Sequence, residues 1–290
     1  SLRIQIMKTI LKIPALLPLP DAIHKGTAGR VLCIGGSKGF SGAIILSARA
    51  AIRTGAGLVT VAVPNEIGDI AETASLETMT IYCSSENGHL HKKSWKNIIL
   101  NATNTNILLF GPGISRHVDI QYLLRKVIEM KKTTVIDADG LYAFSKIKAK
   151  FSSTIVLTPH IGEMSILLGA AIPDSHAERK DLAIKYALKN NLILVLKSHR
   201  TIVTDGRQLY EEKAGNAGMA TGGSGDVLAG TIASFLLMPD QSPFINTIRA
   251  VHAHSLAGDF ATKLRAQRFL TAADIIESYG AVLKLLEKSK

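Results

Sequence analysis

Short apolar runs recur along the chain, each closed by glycine, proline or a charged turn. Val31 to Ile34, Leu58 to Val63, Asn106 to Phe110, Thr133 to Ile136, Thr154 to Leu157 and Leu192 to Lys197 read as buried strands. Between them the pattern shifts to a helical period over Ser41 to Thr54, Val118 to Met130 and the residues after His160 through Leu168. A further helix starts near Asp174 and runs to Lys189. Residues 65–103 carry a weaker signal, with one or two helices and a strand near Thr80 to Cys83. Thr201 to Thr204 and Gln208 to Glu211 flank Asp205-Gly206, a hairpin turn. Leu228, Ile232, Phe235 and Leu236 form an apolar helical stripe, and Phe244 to Arg265 and Thr271 to Glu287 are amphipathic helices. Strands alternating with helices predict one α/β layered domain over residues 1–290, with a mainly parallel sheet flanked by helices on both faces. Residues 1–20 form an N-terminal extension, of which Ser1 to Ile6, ahead of the first Met, read as an artificial addition.

The stripe at Leu228 is preceded by five glycines in eleven residues, from Gly215 to Gly225. A loop of this kind feeding a helix presents unpaired N–H groups and the positive end of the helix dipole. Gly222, Gly223, Ser224 and Gly225 are therefore a candidate anion hole. Asp226 follows at once, and two roles suit it. It caps the helix, or it takes a proton beside a stabilised phosphate. Unless desolvated, it is ionised at neutral pH. Gly36, Gly39 and Gly42 follow the first strand but match neither the dinucleotide fingerprint nor a Walker loop. Three other strands end in Gly111-Pro112-Gly113, Asp137-Ala138-Asp139 and Pro159-His160, which line one sheet edge beside the glycine loop. On a continuing strand Asp137 and Asp139 would point to the same side, as a catalytic pair or as turn-makers.

The formal net charge is +11, but the lysines are scattered and lack aromatic interleaving. Solvated faces and a taste for small anions fit this better than nucleic acid. Cys33 and Cys83 make neither a disulfide framework nor a zinc spacing. The stretch Met7 to Pro20 is broken by lysines and prolines, so it is neither a signal peptide nor a membrane span. These features point to the cytoplasm. His252 and His254 face opposite ways on a helix and cannot share a metal, while His89 and His91 read as surface residues.

Five segments in order, Gly35 to Ala43, Gly111 to Gly113, Asp137 to Asp139, Leu157 to Glu163 and Asn216 to Asp226, resemble the bacterial ADP-dependent NAD(P)H-hydrate dehydratase family. The likeness runs from about Gly29 to beyond Gly258 and implies a ribokinase-like fold. Many members carry an N-terminal epimerase domain, and this length suits the standalone dehydratase. The resemblance implies that NADH or NADPH hydrated at C6 is the substrate. ADP phosphorylates the C6 oxygen, and the ring nitrogen then expels phosphate, leaving AMP. It also implies that Ala43, Gly113, His160 and Asp226 bind the hydrate. Lys197, Ser198, His199, Arg200, Thr201 and Gly225 would bind the nucleotide, although Ser198 and His199 replace the usual Gly and Ala. Glu163 takes the place of a glutamate that organises Mg2+ through water, or it merely sits in a helix's first turn. A homotetramer is implied too. Two alternatives remain: a ribokinase-like kinase for a vitamin precursor or sugar, and a non-catalytic nucleotide-binding protein.

Overall fold

The computed structural model describes residues 7–287 except 21, 23, 148–152 and 264; Ser1 to Ile6 lie outside the described residues. Twelve strands are formed: β1 Lys8–Thr9, β2 Arg30–Ile34, β3 Leu58–Pro64, β4 Met79–Cys83, β5 Ser85–Glu86, β6 His89–Leu90, β7 Ile107–Phe110, β8 Thr133–Ile136, β9 Ile155–Leu157, β10 Ile193–Leu196, β11 Ile202–Thr204 and β12 Gln208–Glu211. The helices are α1 Ser41–Arg53, α2 Gly68–Ala74, α3 Trp95–Ala102, α4 Val118–Glu129, α5 Asp139–Ser145, α6 Ile161–Leu168, α7 His176–Asn190, α8 Ser224–Phe235, α9 Pro243–Ala261 and α10 Ala272–Glu287.

Ten strands make one sheet in the order β1-β12-β11-β10-β9-β8-β7-β2-β3-β4. From β10 to β4 every neighbouring pair is parallel, while β10-β11-β12 is an antiparallel meander. The Asp205-Gly206 turn produces that hairpin as expected. Strand β1 was not legible in the sequence: its two residues pair with β12 from the stretch read as an extension. Buried Arg249 ties the same stretch down, donating to the carbonyls of Pro14 and Ala15.

The strands are apolar throughout because both sheet faces are covered. One face gives Val31, Cys33, Val61 and Leu109 to a core with α1, α8, α9 and α10. The other gives Leu32, Ile34, Leu108 and Phe110 to a core with α3 to α7. Helix α8 differs from its predicted single stripe. It is buried from Val227 to Phe235, because the sheet, α1 and α9 enclose it on different sides. Helix α7 starts at His176 rather than Asp174, and α9 ends at Ala261 rather than Arg265. Among the described residues no helix is long and apolar enough to cross a membrane.

The contact of α1 with α8 has no slack. A Cβ on Gly230 would lie 2.0 Å from the Ser47 carbonyl oxygen. Gly230→Ala therefore forces two buried helices apart, and we expect a loss of about 1–3 kcal/mol. Urea unfolding measures it; an unchanged midpoint would contradict this packing.

Candidate active site

The strand order reverses between β2 and β7, where one half of the sheet runs out through β3 and the other through β8. At such a switch point the loops beyond the strand ends separate and leave a crevice. Here the crevice is bordered by the loop after β2 and by Gly111-Pro112-Gly113 after β7. The two loops are bonded together: Gly36 N–H donates to Pro112 O at 2.8 Å, and Ser37 Oγ donates to Gly113 O at 2.7 Å. Gly113 has φ +65°, and a Cβ there would lie 2.4 Å from Phe40 O and 3.2 Å from the Ala43 Cβ. Ala43 and Gly113 are thus neighbours across the crevice.

Helix α8 ends against the same region. Gly223, at φ +88°, turns the chain into the helix. First-turn geometry leaves the Gly225 and Asp226 N–H groups without an intrahelical acceptor. The turn is held from two sides. Ser47 Oγ on α1 lies 2.9 Å from Asp226 O and 3.1 Å from Ala43 O, linking two predicted site residues. His254 Nε2 on α9 lies 3.0 Å from Ser224 O. Burial pushes the His254 pKa down to about 4, so the neutral ring donates Nε2–H to that carbonyl. His252 turns instead to Glu212, so the two histidines indeed have separate partners.

Four sheet and helix ends deliver a buried charge cluster. Lys197, just past β10, lies 2.8 Å from Asp137 Oδ1 and 3.7 Å from Glu163 Oε2. Thr158 Oγ1 also donates to Asp137 Oδ1, at 2.6 Å. Burial alone would lower the Lys197 pKa, but Asp137 and Glu163 outweigh it and hold it above the ordinary lysine value. Burial raises Glu163, with Lys197 opposing. Burial, reinforced by the charge of Asp137 and opposed by Lys197, raises Asp226 to about 7. Asp226, expected from the sequence to be ionised at neutral pH unless desolvated, is desolvated and so is not fully ionised there. Its carboxylate has no hydrogen-bond donor among the described residues.

Glu163 closes a capping box: its Oε2 accepts the His160 N–H at 2.8 Å, while His160 Nδ1 accepts from the N–H groups of Gly162 and Glu163. A nitrogen that accepts carries no proton, so neutral His160 bears its proton on Nε2.

Beside the cluster lies a cavity of about 620 Å³. It is lined by Lys197, Ser198, His199, Thr201, Ser224 and Gly225, with His160 at its border. Leu228, Val251 and Met219 give it an apolar wall. Asp259 fixes the opposite loop by accepting from Gly215 N–H and Asn216 Nδ2, both at 2.9 Å. Arg200 does not reach this lining; its guanidinium lies 3.9 Å from Glu211.

Two sequence expectations need correction. Asp137 and Asp139 do not share a side, because β8 stops at Ile136 and Ala138 takes φ +51°. Asp137 points to Lys197, whereas Asp139 pairs with Arg116 at 2.8 Å. His89 is buried against His117, their ring centroids 4.1 Å apart. His91 is half-buried, with its Nε2 3.7 Å from Glu86 and 3.6 Å from Asp119. The roles of Ser47, His254 and Asp259 carried no sequence signal, since each acts through partners dozens of residues away.

A parallel sheet with a switch-point crevice and a glycine turn aiming a helix N-terminus at a nucleotide-sized cavity is the ribokinase-like class of fold. The solved ADP/ATP-dependent NAD(P)H-hydrate dehydratase of Bacillus subtilis, co-crystallized with ATP/Mg2+, has this fold with a TM-score of 0.83. That match covers 96% of this chain and 100% of that one, at 23% identity. Within the class, the model of the NAD(P)H-hydrate dehydratase family matches residues 31–279, and the chain belongs to that family. It is 31% identical to the ADP-dependent (S)-NAD(P)H-hydrate dehydratase of Listeria monocytogenes, over 93% of this chain and 92% of that protein. It is 38% identical to the bifunctional NAD(P)H-hydrate repair enzyme of Moorella thermoacetica over 91% of this chain. The chain spans about half the length of such bifunctional relatives, 51% in that case.

The cluster predicts a titration. Carbon-detected NMR of the free protein should give the Asp226 carboxyl a midpoint of about 7. In Lys197→Met the midpoint rises, because the opposing cation is gone. A midpoint of about 4, the ordinary aspartate value, would contradict the electrostatic account.

Proposed function

We propose that the protein is a nicotinamide-nucleotide repair enzyme, dehydrating hydrated NADH and NADPH at the expense of ADP. One observation carries this reading. Asp226, a carboxylate with a pKa of about 7, shares a helix turn with two unpaired N–H groups and lies beside the Lys197 ammonium. A base, an anion hole and a cation at one point suit transfer of a phosphoryl group to a hydroxyl. The activity for which the relatives are named supplies the substrates.

In this reading ADP fills the cavity beside Lys197 and Thr201, with its terminal phosphate against the Gly225 and Asp226 N–H groups. The hydrate enters the switch-point crevice between Ala43 and Gly113. The ionised Asp226 carboxylate takes the proton of the C6 hydroxyl as its oxygen attacks the β-phosphorus. The bond from that phosphorus to the bridging oxygen breaks, and AMP departs. Hydroxide is a poor leaving group and phosphate a good one. The ring-nitrogen lone pair then expels phosphate from C6, restoring the reduced dinucleotide. His160 offers Nε2–H to substrate oxygen, and the capping box holds its ring. Lys197 offsets the charge of the transferring group.

The site also suits magnesium. Its free donors are hard carboxylate oxygens on Asp226 and Glu163, in keeping with that ion's preference. Glu163 would hold it through water, and when bound it would neutralise diphosphate charge. The two buried free cysteines accord with a cytoplasmic setting, and family likeness suggests a homotetramer.

Supplying hydrated NADH with ADP and magnesium and following reduced-nicotinamide absorbance tests the function. We expect recovery of NADH and formation of AMP, faster with ADP than with ATP. A stable phosphorylated small molecule without NADH would favour a kinase, and ADP binding without turnover a sensor. The N-cap of α8 is Gly223 and the Asp226 carboxylate makes no cap bond, so Asp226→Asn keeps the shape of the helix turn and loses only the base. It should stay folded and bind ADP while turnover falls by roughly 10²–10⁴-fold. Near-normal turnover would leave the catalytic base unidentified. Light scattering at micromolar concentration should give a tetramer mass; a monomer mass would remove that assignment.

A further inference from the structure

Phe40 is out of place for a residue that serves the fold. It is 68% exposed, on the loop bordering the switch-point crevice. It occupies the N-cap of α1, where it makes no side-chain cap bond. Ser, Thr, Asp or Asn at that position would satisfy a free N–H and stabilise the helix. The chain therefore forgoes helix stability and leaves a phenyl ring in water. The loop around it is tightly fixed. Phe40 N–H donates to Ser37 O at 2.8 Å, and Ser37 Oγ is bonded to Gly113. A Cβ on Gly113 would meet the Phe40 Cβ at 3.3 Å, so the Phe40 side chain leaves the backbone beside Gly113 and one helical turn from Ala43. A rigid, exposed aromatic face at the mouth of a crevice that ends at Asp226 has the form of a stacking platform.

We propose that Phe40 is a specificity-determining residue whose ring packs against a heterocycle of the second substrate, the dinucleotide hydrate. This rests on the functional reading above. Two rings of that substrate suit the contact: the flat adenine, by stacking, and the hydrated nicotinamide ring, whose sp3 C4, C5 and C6 leave it puckered, by apolar packing. The cavity beside Lys197 is lined by other residues, so ADP does not touch the platform.

The test compares wild type, Phe40→Ala, Phe40→Leu, Phe40→Tyr and Phe40→Ser, with hydrated NADH and with hydrated reduced nicotinamide mononucleotide. Loss of one ring contact should raise KM for the hydrated dinucleotide about tenfold in the Ala, Leu and Ser variants. KM for ADP should stay unchanged, and Tyr should restore the wild-type value. Phe40→Ser should also raise Tm while it raises KM, a split that a residue serving only the fold would not give. If the mononucleotide hydrate suffers equally, the ring in contact is the nicotinamide; if it is spared, the ring is the adenine. Wild-type KM in Phe40→Ala or Phe40→Leu overturns the platform, as does a matching rise in KM for ADP. Wild-type protein that restores no reduced nicotinamide overturns the functional reading, and the platform with it.

Discussion

The site is organised by one buried ammonium that must serve three carboxylates. Lys197 bonds Asp137 and lies near Glu163, and its charge also reaches Asp226. One cation against three ionised acids leaves an excess of negative charge where water is scarce. Isolated buried charges are costly, so part of that excess is removed by proton uptake. Asp137 is the bonded partner of Lys197, and Glu163 accepts a backbone N–H. Asp226 has no donor, so it is the member raised to about 7. A carboxyl that titrates near neutral pH thus follows from how one lysine is shared.

That sharing exists only because distant segments end at one place. Lys197 and Asp137 stand at the ends of parallel strands, Glu163 in the first turn of α6 and Asp226 in the first turn of α8. The sheet order sets the first two. Close packing of α1 on α8, with Gly230 against Ser47, sets the last, and His254 pins the same turn from α9. The result is a helix N-terminus with a cavity on one flank and a crevice on the other. A group moving from a nucleotide to a second substrate would cross at that terminus.

Much of this architecture was legible in the sequence. The buried strands, the hairpin and the loop-to-helix junction are local patterns, and the structure keeps them within a residue or two. The glycine loop and the helix it feeds were legible because glycine turns and helix starts leave local marks. What escaped were the long-range partners. The Asp137 side chain could not be told from a turn-maker until β8 stopped at Ile136 and Lys197 arrived from 60 residues away. The pKa of Asp226 depends on burial, which no local pattern states. By its place in the sequence Arg200 groups with the nucleotide loop, but it is absent from the cavity lining and its exposed guanidinium lies 3.9 Å from Glu211. His89 looked polar and exposed, yet the β5–β6 hairpin carries it into contact with His117.

The central claim is that electrostatics within the cluster set the protonation of the base. The dependence of log kcat/KM on pH, in wild type and in Asp137→Asn, tests it most directly. A base is active when ionised, so the rate should rise with unit slope at low pH and level off above a midpoint of about 7. Asp137 raises the Asp226 pKa, so Asp137→Asn should move that midpoint downward whatever it does to the plateau. A wild-type profile flat from about pH 5 to 8, or a midpoint indifferent to Asp137, would contradict the account.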